Sequence, residues 1–411
     1  MVNRDRTGGT RQSRHAKARR HRVLGAGAGV GVFLAAAAAM ATGSAAPAKA
    51  DFEDLLDPII QPILTSVTDS ISGFDPAAAV DLTSWTDSFL ASLNSIDLAL
   101  PSAAEPASAV AAAAEPAAST GTIPLTVLEN TEPTVNASID GGSSVPLLVD
   151  TGSAGLVIPD TDLGSNTLTQ LEALFELGIP TGISESGYSG GVDYIYLTYN
   201  DVPVDYLGGT GVDTAGPVDV EVYSWDPSNL GSLFTDNAFQ NFLSSNDVNG
   251  ILGIGDNASG PTTSPFVGDG GVTVDVQGTG GDLIVGPTNP GTAIDTVSGA
   301  PISSLYESIN GGTPVAVSDD VDSGGVYGTI PSSLLGNAGT VPDNSTISVY
   351  DNATGTGTPL YSYSTGAGDG AAPTVTSGTS IDSGVEPFLE EPIYINYTDD
   401  MMSFDVPGSV K

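Results

Sequence analysis

Two stretches of this chain read almost alike: DTGSAGLVIP at residues 150–159 and DSGGVYGTIP at residues 322–331. Each opens on Asp, then Thr or Ser, then Gly, and each closes on Ile-Pro at the same offset. Val149 and Val321 precede the two Asp residues, and Ile139-Asp140-Gly141-Gly142 upstream of the first matches Ile309-Asn310-Gly311-Gly312 upstream of the second. Asp-Gly and Asn-Gly steps favour the two-residue turns of β-hairpins. Each copy therefore reads as strand, tight turn, strand, and a loop that begins at Asp. A third Asp-Ser-Gly triplet, Asp382-Ser383-Gly384, lacks the downstream Ile-Pro and is read as structural. A triplet of such common residues is weak by itself; the ten-residue match with its matching hairpin is the signal of an internal duplication.

Around this repeat, from residue 121 onward, short alternating apolar runs are broken by Gly, Asp, Asn, Ser and Thr, the pattern of an all-β protein. Helical spacing is confined to Leu168–Leu177, Phe239–Leu243 and Pro331–Leu335. The duplication predicts two lobes, 121–290 and 291–411, related by a pseudo-two-fold axis. Such a relation would bring Asp150 and Asp322 together at the interface, where adjacent like charges cannot both ionise and the pair shares one proton. Gly152 and Gly324 would let backbone amides approach the carboxylates, and Thr151 and Ser323 can hydrogen-bond across to the partner loop.

Charge narrows the chemistry further. The full chain of 411 residues carries a formal net charge of −39, with nine of its ten Lys and Arg and both His inside the first fifty residues. Beyond residue 50 the only base is Lys411, and the chain has no Cys. Phosphate binding needs cationic side chains, so nucleic acid is not an expected partner. Thiol nucleophiles, Ser-His pairs and His-ligated zinc are excluded from that part, which leaves carboxylates as its general acids and bases. Composition alone leaves open a non-enzymatic acidic surface or binding protein.

Residues 1–50 read as a secretory signal peptide. A basic stretch with Arg14, Lys17, Arg19, Arg20 and Arg22 leads into an apolar run, and Ala48-Lys49-Ala50 closes it as a cleavage pattern. Residues 51–98 carry Leu55, Leu56, Ile59, Ile60, Ile63, Leu64 and Val67 at helical spacing, interrupted by Pro58 and Pro62, and read as a short helical acidic region. Residues 99–120, almost entirely Ala, Pro, Ser and Glu, read as a linker. No Lys or Arg lies between Asp51 and Val410, so a basic segment that plugs an acidic cleft is not expected there. The expectation is a secreted or cell-surface protein with no membrane span in its mature part.

The two loops resemble the active-site loops of pepsin-like aspartic proteases, and the resemblance covers residues 121–411. Asn249-Gly250-Ile251-Leu252-Gly253-Ile254-Gly255 resembles the apolar-apolar-Gly segment that threads behind the first loop in that family. The phrasing VAVSDDVDSGGVYGTIPSSL, NGILGIG and PIYINY is similar to the mycobacterial PE cleavage protein A subfamily. The resemblance implies an all-β, bilobal fold and an aspartic endopeptidase acting on peptide or protein substrates. It further implies catalysis by Asp150 and Asp322, support from Thr151, Gly152, Ser153, Ser323 and Gly324, and no metal or cofactor. It also implies a hairpin flap, for which Tyr188 in Ser186-Gly187-Tyr188-Ser189-Gly190-Gly191 is the candidate and Tyr194 the fallback. A monomer, with self-processing at the N-terminus, is expected.

Two departures stand out. Gly325 occupies the place where pepsins carry Ser or Thr, while Ser153 keeps that hydroxyl in the first loop. The second lobe's apolar-apolar-Gly segment is degenerate, with Ile381-Asp382-Ser383-Gly384 in its place. A catalytically inactive pepsin-like fold used for binding is the alternative that these departures raise.

Overall fold

Both Asx-Gly steps form the tight turns that their sequence predicts. Asp140 and Gly141 take φ of 49° and 71°, and Asn310 and Gly311 take 52° and 70°. A positive φ at both central residues is the requirement of a hairpin turn whose twist matches its strands. The duplication reaches individual hydrogen bonds: Ser138 Oγ donates to Gly142 O and Ser308 Oγ donates to Gly312 O, both at 2.8 Å. The structure, a computed structural model, describes residues 121–164, 167–188, 191–226, 228, 238–366 and 371–410. The expected signal peptide, helical acidic region and linker lie outside the described residues, as do Ser189 and Gly190.

The described strands form one 13-stranded and one 7-stranded sheet. Strands from Gly121–Leu128 to Gly280–Val285 build the larger sheet, joined by Ala293–Ser298, Ile393–Asn396 and Met401–Asp405. Strands from Ile302–Ile309 to Ser380–Asp382 build the smaller one. The fold is all-β and pepsin-like. Alternation sets the strand faces: in Gly121–Leu128, Ile123, Leu125 and Val127 are buried while Pro124 and Thr126 are exposed, as a period of two requires. Full burial of each such apolar side chain contributes about 1.5–3 kcal/mol.

Helices occur where helical spacing appears in the sequence, at Thr167–Glu176 and Ala238–Ser245, and a 3₁₀ turn covers Ser332–Leu335. A third helix among the described residues, Glu386–Glu390, has no signal in the sequence. It has five residues and begins beside Pro387, too short for a periodic signal.

Candidate active site

The first loop hangs between three strands. Ser144–Asp150 runs parallel to Gly250–Ile254, with Asp150 opposite Gly253, and Ala154–Pro159 returns antiparallel on the other side of that segment. The strands approach so closely that a Cβ on Gly250 would lie 2.7 Å from Leu147 Cδ2, and one on Gly253 would lie 2.7 Å from the Ala154 carbonyl carbon. This explains the glycines of the Asn249–Gly255 segment. In the second lobe, Val315–Asp320 runs parallel to Ser380–Asp382, and Thr329 of Thr329–Pro331 pairs antiparallel with Asp382. Leu148 faces Ile251 in one lobe and Asp320 faces Asp382 in the other. Asp382 thus stands where the first lobe has Ile251, and Ser383-Gly384 stand where it has Leu252-Gly253.

The two loops are tied by a reciprocal set of hydrogen bonds. Thr151 N donates to Ser323 Oγ at 3.1 Å, and Ser323 N donates to Thr151 Oγ1 at 2.8 Å. Each hydroxyl then donates onward beneath the opposite Asp, Thr151 Oγ1 to Val321 O at 2.6 Å and Ser323 Oγ to Val149 O at 2.7 Å. All four groups are buried, so losing one partner would leave others unsatisfied. Gly152 N donates to Asp150 Oδ1 at 2.9 Å and to Asp322 Oδ1 at 3.2 Å, while Gly324 N donates to Asp322 Oδ1 at 2.8 Å. Ser153 Oγ donates to Asp150 Oδ2 at 2.6 Å. Every site residue named from the sequence loops is therefore in one cluster.

Glycine is required at both third positions. A Cβ on Gly152 would fall 2.5 Å from Asp322 Cγ, and one on Gly324 would fall 2.7 Å from Asp150 Oδ1. Each carboxyl thus lies against the opposite loop's glycine, and the Gly152 amide donates to both Asp150 and Asp322. Burial first, then the adjoining charges of Asp150, Asp382 and Asp320, push the Asp322 carboxyl well above the usual carboxylate range. No Lys, Arg or His lies between Asp51 and Val410 to oppose that shift.

Tyr188 ends the strand Gly182–Tyr188, which forms a hairpin with the start of Val192–Tyr206. Its ring stacks on Tyr194, Phe242 and Phe239, with centroids 5.5, 5.6 and 6.1 Å away. Burial, Tyr194 and the negative charge of Asp150 hold its phenol well above the usual value. The Tyr188 hydroxyl therefore lies within electrostatic reach of Asp150. Tyr194, the fallback, is fully buried in the aromatic stack behind Tyr188.

Residues 121–404 match the family model described as the PE-PGRS C-terminal aspartyl peptidase-like domain. The chain belongs to this family. It is 40% identical over 293 residues to PE cleavage protein A of Mycobacterium tuberculosis (strain ATCC 25618 / H37Rv), an alignment covering 67% of this chain and 50% of that protein. It is 42% identical over 292 residues to PE cleavage protein A of Mycobacterium marinum (strain ATCC BAA-535 / M), with the same shares. The chain spans about half the length of the curated relatives it matches.

Within this peptidase-like domain, three contributing residues were not assigned to the site from the sequence. Phe239 and Phe242, three apart on the helix Ala238–Ser245, back the ring of Tyr188. Their spacing marks a helix face, but nothing local says what that face meets. Ser383 accepts a hydrogen bond from Asp322 N at 3.1 Å and donates one to Gly384 O at 2.9 Å. Its signal is the third Asp-Ser-Gly triplet itself.

Proposed function

We propose that this chain is an aspartic endopeptidase in which Asp150 and Asp322 together activate water. The ionised carboxyl takes a proton from a water held between the pair as its oxygen attacks the scissile carbonyl carbon. The protonated carboxyl gives its proton to the carbonyl oxygen. When the resulting tetrahedral diol collapses, the C–N bond breaks, a proton passes to the leaving nitrogen, and the pair again holds one proton. General acid–base catalysis of this kind contributes roughly 10²–10⁴-fold. The observation that carries the reading is the crossed contact of each carboxyl with the opposite loop's glycine, which supports treating the two acids as one unit.

The relatives are named for PE cleavage, and we take PE-type surface proteins as the substrate class for this chain. A basic or neutral substrate segment suits the cleft, because the acidic domain attracts cations and has only the terminal Lys411 to bind acidic side chains. The signal-like residues 1–50 support a secreted or cell-surface location, with the protein acting as a monomer and trimming its own N-terminal region.

Incubating the purified chain with a denatured protein, from acidic to neutral pH, with and without a statine-type inhibitor, tests the assignment. Cleavage that the inhibitor blocks and that Asp150→Ala abolishes is expected. Full activity in Asp150→Ala would reject it.

A further inference from the structure

The two catalytic loops are held differently. In the first, the Ser153 hydroxyl donates to the outer oxygen of Asp150, Oδ2, at 2.6 Å. In the second, Gly325 has no hydroxyl to offer Asp322. The space a side chain would need there is already taken: a Cβ on Gly325 would collide with Asp382 Oδ1 and lie 2.9 Å from Asp322 Oδ2. One oxygen of Asp382 thus fills the space beside Asp322 Oδ2 that a side chain at 325 would occupy.

Local structure aims Asp382 at that spot. Gly384 N donates to Asp382 Oδ1 at 2.9 Å, the same Asp-to-second-residue clamp that Gly152 makes with Asp150 and Gly324 with Asp322. The parallel register of Asp320 with Asp382 fixes the strand height, and Ser383 fastens it to Asp322 N. The equivalent position in the first lobe is the fully buried, apolar Ile251. The second lobe therefore carries two linked departures, a lost hydroxyl at 325 and a carboxyl in place of an apolar side chain at 382.

We propose that Asp382 is a positioning residue for Asp322, its carboxyl standing in beside Asp322 Oδ2 for the hydroxyl that Ser153 supplies to Asp150. This rests on the proteolytic role proposed for Asp150 and Asp322 and adds a third carboxyl to their unit. Asp382 must hold a proton to donate, and burial raises its pKa to about 7 against the opposing Gly384 amide, with Asp319 and Asp150 adding to the rise. The groups around it are all acidic or phenolic: Asp319 and Asp320 on the neighbouring strand, Asp322 and Asp150 on the loops, and Tyr363. No cation competes for its proton.

The test uses the full chain, measuring kcat and KM on a fluorogenic peptide across pH, with folding checked by near-UV circular dichroism. Asp382→Asn keeps the side chain's shape and the acceptor for Gly384 N, but removes a negative charge that helps Asp322 hold its proton. Its acid-side kcat should stay within about threefold of wild type, while the alkaline limb moves down by about one pH unit. Asp382→Ile, copying Ile251, should lose about tenfold in kcat with KM unchanged, the scale of one lost hydrogen bond in the transition state. Gly325→Ser alone should be impaired by the collision with Asp382, and Gly325→Ser combined with Asp382→Ile should recover most of the loss. Superimposable pH profiles for wild type and Asp382→Asn, or an unrescued double variant that is well folded, overturn the proposal. A wild-type chain without activity would instead defeat the proteolytic reading itself.

Discussion

Replacing Glu307 by Gln should stabilise this protein at neutral pH and leave it nearly unchanged in acid. Glu307 is 3% exposed, and its Oε2 has no hydrogen-bond partner among the described residues. It faces the fully buried Asp319, whose Oδ2 accepts the Tyr361 hydroxyl at 2.7 Å. Burial, then the charge of Asp319, raises the Glu307 pKa from 4.5 to about 8. A carboxyl whose pKa is higher folded than unfolded binds its proton more tightly in the native state. Its contribution is therefore complete below the unfolded value and is lost as pH rises toward the folded one. From those two values, keeping Glu307 at pH 7 costs about 3 kcal/mol relative to acid. The amide needs no proton, so Glu307→Gln removes this dependence. Thermal unfolding of wild type and variant at about pH 4.5 and pH 7 is the assay. At a few degrees per kcal/mol, the variant's midpoint should lie roughly 6–10 °C higher at pH 7 and within about 2 °C at pH 4.5. Parallel curves, displaced equally at both pH values, would refute the reasoning.

Three further outcomes follow from the same contacts. Gly324→Ala should lower kcat at least about 100-fold while the protein stays folded, because the new Cβ displaces Asp150 and small misplacements of reacting groups cost that much; activity near wild type would contradict the packing. Thr151→Val deprives Ser323 N and Val321 O of their partner and should cost about 1–3 kcal/mol for each group in denaturant unfolding. Tyr188→Ala removes one ring from a four-ring stack, each pair contributing about 0.5–1.5 kcal/mol, and should raise KM for peptides, whereas Tyr188→Phe should leave KM close to wild type.

The parts of this molecule that could be read from sequence are those governed by local chemistry. Asp140-Gly141 and Asn310-Gly311 specify their turns because few residues tolerate a positive φ, and the strands beside them alternate because one face is buried. The repeat of ten residues placed Asp150 and Asp322 in equivalent loops, and the symmetry of a duplicated fold brought the loops together. What could not be read depends on partners distant in the chain. The collision that ties Gly325 to Asp382 involves residues on separate strands and has no periodic signature. The burial of Glu307, Asp319 and Glu391 in a domain with so few bases would have been counted as surface charge from composition. Burial instead raises their pKa values to about 8, 6 and 8, which makes them partners in an acid-favoured fold. Phe239 and Phe242 announced a helix face, and only the fold supplied Tyr188 as its neighbour.

The decisive measurement is the rate of peptide-bond cleavage by Asp150→Asn and Asp322→Asn proteins beside wild type, each confirmed to be folded. Both amides should cut the rate to background, since a pair with one amide can no longer pass a proton between its members. Wild-type turnover in either folded variant would contradict a shared-proton pair at this site.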